Sequence, residues 1–431
     1  MPELIRATIA HTPNRGLEFH EDGGLLIREG RVAVCGDFAP LRRHFPEVPV
    51  TDWRGGFLLP GFIDAHVHFP QLRVTGTLGL QLLEWLEHHA LPEEARMVDV
   101  NHAVRIARGF VHALASHGTT TALVFGAHFA PATAALFDHA GGLRILSGLV
   151  LSDRLLRPDL HQSPAAAYHD STDLIRRYHG RGRLLYAVTP RFALSTSEAM
   201  LEVCQTLVRE NPGLRVQSHL NENPREIAEV SRRFGWAEDY FAVYERYGLC
   251  GPRAVMAHNV HPEPAELERM ADTHTSVAHC PCSNATLGSG IFPMHRHLKA
   301  GVHFALGTDV GAGTGFGMPK EALQAYFAQR LGSDRLQLSP GELLYRMTLA
   351  GAEALDLARE TGSFEAGKAA DFVHLHPPAQ SPLAFSLEAQ RDASGILGAL
   401  LAQAGSESVA EVRVEGEVVY RGAESTSSAT R

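Results

Sequence analysis

LLPGFIDAHVHF, residues 58–69, is a short apolar run that ends in two histidines separated by a single residue. Its length and its Gly and Pro residues are typical of a buried β-strand. In an extended chain, residues i and i+2 point to the same side, so His66 and His68 can reach one metal ion. The stretch therefore predicts a strand with a pair of potential metal ligands at its end.

Seven further apolar, β-branched runs follow at regular intervals. They are TTTALVFG (119–126), RILSGLVL (144–151), LLYAVTPRF (184–192), RVQSHL (215–220), RAVMAHNV (253–260), TSVAHCP (275–281) and VHFALGTDV (302–310). Segments of helical character, such as 98–117, 197–211 and 262–274, lie between most of these runs. Eight alternations of strand and helix over about 250 to 300 residues predict a (β/α)8 TIM-like barrel, which places its active site at the carboxyl ends of the strands.

The two ends of the chain have a different character. Residues 1–57 and 363–422 contain short strand-like runs with Gly-centred turns. Because neither end has enough strands for a sheet of its own, we expect them to form one small β-sandwich packed against the barrel domain of residues 58–362. The polar residues 423–431 are expected to be a disordered tail.

Composition excludes several classes of protein. With 45% hydrophobic and 20% charged residues, the 431-residue chain has the composition of a globular protein. Its 48 acidic against 39 basic residues give a net charge of -9, which argues against a nucleic-acid partner. No apolar run reaches the roughly 18 residues that span a membrane, the N-terminal residues lack a signal-peptide layout, and the five cysteines contain no CxxC pair. We expect a cytoplasmic protein with reduced thiols and no membrane partner.

Further polar residues stand where predicted barrel strands end. His219 lies in the fifth strand, His258 in the sixth and Asp309 in the eighth. A single histidine is more often a packing residue than a ligand, but five such positions, counting His66 and His68, coincide by chance much less often. Nitrogen and oxygen donors of this kind suit zinc or ferrous iron and leave a position for water. The pattern predicts a catalytic metal site.

The motifs at these strand ends resemble the amidohydrolase superfamily over nearly the whole chain, through PGFIDAHVH, the strands with single histidines, and GTD at the eighth strand. More narrowly they are similar to the guanine deaminase family. The stretches that carry this similarity are HVHFPQ (66–71), LLEWLEHHALPEEAR (82–96), TPRFALS (189–195), SHLNEN (218–223), MAHNVH (256–261), HCPCSNATLGSG (279–290) and LGTDVGAG (306–313).

The resemblance implies one Zn2+ per chain, with Fe2+ as the alternative. Its implied ligands are His66, His68, His219 and Asp309. Binuclear members usually bridge two metals through a carboxylated lysine on the fourth strand, and this chain has no lysine before Lys299. His258 is expected to contact the metal-bound water or the substrate, although it could also be a ligand.

The resemblance also implies a reaction, the hydrolytic deamination of guanine to xanthine and ammonia in purine catabolism. Glu222 passes a proton from water to ring N3, hydroxide attacks C2, and Asp309 accepts the remaining hydroxyl proton for the leaving amine. His258 stabilises and orients the intermediate. The structural alternative for Glu222 is an acidic residue in the first turn of the following helix.

Guanine presents O6 and N7 as adjacent acceptors, which a planar guanidinium can meet with two hydrogen bonds. Arg191 lies at a strand end where it can do this, Gln71 can pair with the polar edge of the base, and Phe192 can stack on or wall the ring. An ion pair at the barrel rim is the alternative for Arg191, and plain core packing for Phe192. The metal-site residues His68, His219 and Asp309 complete the predicted substrate contacts.

Two other functions stay open. A related amidohydrolase can deaminate 8-oxoguanine, a pterin, an adenine derivative or a triazine, and a non-catalytic binding protein can use the same fold. The five metal-site residues together with Glu222 speak against the second, because a binding protein has no need of them. A homodimer is expected from the family alone.

Overall fold

The computed structural model describes residues 1–155 and 157–422, and the predicted tail 423–431 lies outside the described residues. Strands in the described part of the chain form two sheets. In chain order they are β1 (Glu3–His11), β2 (Glu18–Arg28), β3 (Arg31–Asp37), β4 (Val50–Pro60), β5 (Phe62–His68), β6 (Thr119–Phe125), β7 (Arg144–Gly148), β8 (Val150–Leu151), β9 (Leu185–Pro190), β10 (Arg215–Leu220), β11 (Ala254–His258), β12 (Ser276–His279), β13 (Phe304–Leu306), β14 (Phe372–Leu375), β15 (Val409–Val414) and β16 (Glu417–Arg421).

Helices connect most of these strands. The α-helices of the described residues are α1 (Phe38–His44), α2 (Leu82–Trp85), α3 (Leu91–Ala95), α4 (Val100–Ser116), α5 (Ala130–Asp138), α6 (Pro164–Tyr178), α7 (Glu198–Glu210), α8 (Pro224–Arg233), α9 (Tyr240–Arg246), α10 (Pro264–Asp272), α11 (Pro281–Thr286), α12 (Met294–Ala300), α13 (Met318–Leu331), α14 (Pro340–Arg346), α15 (Leu349–Ala354), α16 (Pro382–Ala389) and α17 (Ala393–Gln403). A π-helical turn spans Leu86–Ala90 between α2 and α3. The predicted helical segments 98–117, 197–211 and 262–274 correspond to α4, α7 and α10.

Strands β5 to β13 form the predicted (β/α)8 barrel. They pair in parallel in the order β5-β6-β7-β9-β10-β11-β12-β13, and the short β8 continues the third strand of the barrel by pairing with β9. The first barrel strand and the loop after the last one, β13, meet through backbone hydrogen bonds, from Asp309 N to His66 O (2.8 Å) and from His68 N to Val310 O (2.7 Å). Closure of the barrel thus brings the two ends of the predicted metal site together.

The barrel strands are buried on both faces, as parallel strands covered by helices must be. All residues of β5 and β6 are buried. Helix α4 shows the usual covering pattern, since Ile106, Phe110 and Leu114 recur on its buried face and the Asp99 side chain caps it by accepting from Asn101 N (2.9 Å).

The remaining strands come from both chain ends and form one sheet, in the order β16-β15-β14-β4-β1-β2-β3. All pairs are antiparallel except β1 with β4. One hydrogen-bonding path links the seven strands of the described residues, and an apolar cluster that includes Ile5, Leu25 and Phe372 belongs to this sheet. The expected pairing of the two termini into a small β unit is confirmed, and the unit is a single continuous sheet.

The stretch 58–69 contributes to both units. Leu58–Pro60 complete β4, where Pro60 lies opposite Phe372 in the terminal sheet, and the barrel strand begins only at Phe62. Helices α16 and α17 interrupt the C-terminal strands, and α17 packs against α13 and α14 of the barrel. We propose two domains: residues 1–57 with 363–422, and residues 58–362. The structure moves their boundary slightly, because Leu58–Pro60 belong to β4 of the terminal sheet. None of the helices in the described part of the chain is long and apolar enough to span a membrane.

Candidate active site

The predicted site residues meet at the carboxyl ends of the barrel strands. His66 and His68 end β5, His219 lies one residue before the end of β10, and His258 ends β11. The remaining predicted residues lie in the loops that follow β5, β9, β10 and β13. They are Gln71, Arg191, Phe192, Glu222 and Asp309.

Three imidazoles and one carboxylate surround a common point. His68 Nε2 lies 3.2 Å from both His66 Nε2 and His219 Nε2, and Asp309 Oδ1 lies 3.3 Å from Nε2 of both His66 and His68. A tetrahedral ion at the usual Zn–N distance holds two nitrogens roughly 3.3 Å apart, so the donor set fits one zinc-like ion. Donor atoms of His66, His258 and Asp309 also lie within 4.8 Å of one another, so His258 could reach such an ion too.

The environment keeps these imidazoles uncharged, as metal ligands must be. Burial lowers the pKa of His66, His68 and His219 below the usual histidine value. Burial alone would raise the pKa of Asp309, but the hydrogen bond from His66 and the charge of the neighbouring His258 lower it well below its ordinary range. The cluster thus offers three neutral nitrogens and one carboxylate to a cation.

Neighbouring groups fix the orientation of these side chains. His219 Nδ1 donates to the Arg191 carbonyl (2.5 Å), which leaves Nε2 free as a ligand. The Phe125 ring packs against His66, His68 and His219 with centroids 4.5 to 5.0 Å apart.

Asp64, two residues before His66, connects β5 to the loop after β13. Its carboxylate accepts from His66 N (3.2 Å), Thr308 N (3.0 Å) and Thr308 Oγ1 (2.5 Å), and burial raises its pKa to about 7. This residue therefore supports the strand ends that carry His66 and Asp309.

Glu222 and His258 form an acid–base pair beside the cluster. His258 Nε2 lies 3.5 Å from Glu222 Oε2 and 3.8 Å from Asp309 Oδ2, while its Nδ1 is 3.0 Å from Asn284 Oδ1. Burial raises the pKa of Glu222 to about 7. Burial lowers the pKa of His258, but the charges of Glu222 and Asp309 raise it more, so the net shift is upward. Both groups can exchange protons near neutral pH.

A buried carboxylate, Glu94, joins the residues predicted to bind substrate. Glu94 Oε1 accepts from Gln71 Nε2 (2.7 Å) and from Arg191 Nη2 (2.9 Å), and Oε2 accepts from His128 Nε2 (2.8 Å). Burial would raise the pKa of Glu94, but the Arg191 charge and the hydrogen bond from His128 keep it well below its usual value. Gln71 Oε1 also accepts from Gly311 N (3.2 Å). Arg191 and Gln71 are thus held from behind by one anion.

A small cavity lies between these groups. Predicted residues that line it are His68, Gln71, Arg191, Phe192, His219, Glu222, His258 and Asp309. Its apolar walls are formed by Leu82, Trp85, Leu86, Leu287 and Ala312. This narrow, partly apolar cavity suits a small, flat molecule.

This chain matches the model of the amidohydrolase family over residues 57–419. The chain belongs to the amidohydrolase family. Within this family it is 52% identical to the probable guanine deaminase of Deinococcus radiodurans, over 97% of this chain and 98% of the relative.

Solved structures of two guanine deaminases superpose on this chain over nearly its full length. Guanine deaminase of E. coli superposes with a TM-score of 0.93 at 37% identity, covering 97% of this chain and 99% of that one. Guanine deaminase of C. acetobutylicum, solved with guanine bound in its active site, superposes with a TM-score of 0.91 at 25% identity, covering 97% and 100% of the two chains.

Some residues of this amidohydrolase site were not found by sequence reasoning. They are Asp64, Glu94, Phe125, His128 and Asn284. Asp64 precedes His66 by two residues, so both side chains lie on the same side of the strand. This alternation could have predicted that Asp64 belongs to the site. Glu94 lies inside LLEWLEHHALPEEAR, but that stretch has no strand-end position to indicate that it supports the cavity-lining Gln71 and Arg191.

Proposed function

We propose that this protein hydrolyses guanine to xanthine and ammonia. The observation that carries the proposal is the buried cavity in which the metal-binding cluster and Glu222 face the Arg191–Gln71 pair. The cluster and Glu222 can supply hydrolysis, and the pair can supply recognition of a purine edge. The similarity to guanine deaminases over almost the entire chain supports the same substrate.

We further propose one Zn2+ per chain, held by His66, His68, His219 and Asp309. Neutral imidazole and carboxylate donors at these separations are those that zinc uses, although Fe2+ suits the same donors. When bound, such an ion lowers the pKa of water so that hydroxide is available at neutral pH.

Two side chains move the protons in this proposal, and a third stabilises the intermediate. Glu222 takes one proton from the attacking water and delivers it to ring N3, which makes C2 electrophilic. Asp309 takes the second proton from the new hydroxyl and passes it to the exocyclic amine, so that the C2–N bond breaks and ammonia leaves. His258, between both carboxylates, donates to the oxygen at C2.

Substrate recognition is assigned to Arg191, Gln71 and Phe192. Glu94 engages only Nη2 of Arg191 among the described residues, which leaves other guanidinium N–H groups for O6 and N7 of guanine. Phe192 lies beside this guanidinium, with Cζ 5.5 Å from its ring centroid, and walls the cavity. His68, His219 and Asp309 contact the substrate from the side of the metal.

Ammonia release from a panel of guanine, 8-oxoguanine, adenine, a pterin and a triazine tests the proposal. The protein is assayed with its metal content measured, and guanine is expected to give xanthine with the highest kcat/KM. Adenine places an amino group where Arg191 expects an acceptor, and unpaired buried groups cost about 10⁴-fold or more. A different preferred heterocycle contradicts the guanine assignment, and inactivity of metal-loaded protein on the entire panel contradicts deamination itself.

We also propose that the enzyme acts in purine catabolism as a cytoplasmic homodimer. All five cysteines are free thiols, as a reducing compartment allows. The dimer is inferred from the family, and light scattering coupled to size-exclusion chromatography tests it through the molar mass in solution.

A further inference from the structure

We propose that the terminal sheet holds a second metal site, formed by His11, His20 and Cys35 and suited to a zinc-like divalent ion. One ring nitrogen of each histidine and the Cys35 Sγ lie within 4.8 Å of one another. Two imidazoles and one thiolate are ligands that zinc prefers. The site belongs to the terminal sheet, so this inference does not depend on the reaction proposed for the barrel.

Three adjacent strands bring these ligands together. His11 ends β1, His20 lies in β2 opposite Ile9, and Cys35 lies in β3 opposite Leu25. Ladders β1–β2 and β2–β3 both contain a register irregularity, so their side chains do not follow simple alternation. The short sequence separation within a hydrogen-bonded meander gives the cluster a rigid frame.

One buried ring nitrogen of each histidine in the cluster lacks a hydrogen-bond partner among the described residues. Neither His11 Nε2 nor His20 Nε2 has one among the described residues, and both atoms are buried. His11 as a whole is only 2% exposed. Buried polar groups in proteins are nearly always satisfied. His20 Nε2 has no partner among the described residues and His11 Nε2 has only the Glu18 carboxylate, 3.3 Å away, so a bound cation would satisfy both nitrogens.

Surrounding carboxylates favour a cation at this position. His20 Nδ1 lies 2.8 Å from Asp37 Oδ1, which leaves Nε2 as the free lone pair in the carboxylate–histidine–metal arrangement. Glu18 Oε2 lies 3.3 Å from His11 Nε2, outside hydrogen-bond geometry, and is a candidate fourth ligand.

Binding has one identifiable cost. Phe364 N donates to His11 Nδ1 (3.2 Å), so the neutral ring carries its proton on Nε2. Ligation through Nε2 requires that proton on Nδ1, and the ring must give up the hydrogen bond to Phe364. We therefore expect His20 and Cys35 to dominate the affinity, and substitution of either to abolish the site.

Metal stoichiometry and cobalt spectroscopy test this site on the full-length protein. The chelator-stripped protein is reloaded with Zn2+, and wild type is expected to bind about two ions per chain. Cys35→Ser and His20→Gln are expected to bind about one, with guanine kcat/KM within about twofold of wild type. With Co2+, wild type should show a thiolate-to-metal charge-transfer band that Cys35→Ser lacks.

Two controls separate this site from the barrel site. Cys250→Ser removes another partly buried thiol, and it should keep both ions and the cobalt band. His66→Ala removes a barrel ligand, so it should lose the other ion and the activity but keep the band. The inference is overturned if wild type binds a single ion without a thiolate band, or if the band survives in Cys35→Ser.

Discussion

Glu94 accepts hydrogen bonds from Gln71, Arg191 and His128 through its two oxygens. In Glu94→Gln an amide NH2 must face one of these donors, and the Arg191 charge loses its buried partner. We expect kcat/KM for guanine to fall by roughly 30- to 100-fold, about 2–3 kcal/mol, because buried polar groups are left unpaired. Most of the loss should be in KM, and zinc content should not change. Steady-state kinetics with metal analysis checks this.

Glu93→Gln is the matched control for Glu94. Glu93 is the neighbouring residue and forms longer ion pairs with Arg73 (3.4 Å) and Arg96 (3.7 Å), away from the cavity lining. Its substitution should change kcat/KM by less than about twofold. Equal effects at both positions would refute a positioning role for Glu94.

Glu222 is the second residue with a specific expectation, because it combines burial, a pKa raised to about 7, and a position 3.5 Å from His258. Glu222→Gln keeps the size of the side chain but cannot carry a proton. We expect kcat to fall by about 10²- to 10⁴-fold while the bound metal is retained. Near-normal turnover in the metal-loaded variant would exclude Glu222 as the proton carrier.

The strand-end positions of the proposed metal ligands could be predicted from the sequence, whereas the residues that support them could not. His66, His219 and Asp309 are polar residues at the ends of apolar runs, and barrel geometry brings such ends together. Glu94 lies on the short helix α3 after a π-helical turn, where sequence periodicity does not indicate which side faces the cavity. Its role depends on tertiary contacts with Arg191 and His128.

At the scale of secondary-structure elements, Asp64 holds the end of β5 to the loop after β13. Asp64→Ala leaves Thr308 N without its acceptor in a buried position. We expect a loss of about 1–3 kcal/mol, visible as a lower Tm by several degrees. Metal affinity should weaken by about 10- to 100-fold because His66 and Asp309 lose their common support.

Calorimetry and metal titration measure these two effects. Asp64→Asn retains an acceptor oxygen and should be less damaging than Asp64→Ala in both measurements. Asp52→Ala removes an exposed carboxylate that pairs with Arg54 in the terminal sheet, so its Tm and metal affinity should match wild type. Unchanged metal affinity in Asp64→Ala would show that the positions of His66 and Asp309 do not depend on this carboxylate.

The boundaries of elements were predicted less well than their existence. The run 58–69 looks continuous because both halves are apolar, yet Pro60 ends β4 in one sheet and Phe62 begins β5 in the other. Helices α16 and α17 have apolar residues without strong helical periodicity, and they lie between runs with the pattern of strands. The sequence pattern therefore does not indicate these two helices. A single sequence does not indicate which of two sheets an apolar run joins.

At the scale of the whole molecule, the architecture was predictable because each unit has a physical requirement. Alternating strands and helices bury a parallel sheet only when the helices cover it, which gives the barrel. Strands at both chain ends need partners for their edges, and they satisfy this need by pairing β4 with β14. What remained hidden is the cluster of His11, His20 and Cys35, because residues on three strands of irregular register meet only after folding.

Buried, uncharged histidines should make the stability of the whole molecule depend on pH. His279 is 1% exposed, stacks on Phe292 with centroids 4.3 Å apart, and has no hydrogen-bond partner for either ring nitrogen among the described residues. Burial lowers its pKa to about 3. The unfolded chain binds a proton near pH 6.5 and the folded chain does not, so the contribution to stability is complete above pH ~6.5 and is lost as the pH falls towards 3.

The loss per histidine is at most about 1.4 kcal/mol per pH unit, or about 2 kcal/mol between pH 6.5 and 5. His279→Phe retains the stack on Phe292 and cannot be protonated, so its Tm should fall less than that of wild type between pH 7.5 and pH 5. His169→Gln, at an exposed histidine, should fall as wild type does. Equal decreases in all three proteins would mean that His279 is already protonated in the folded state at pH 5, which its apolar surroundings and missing partners oppose.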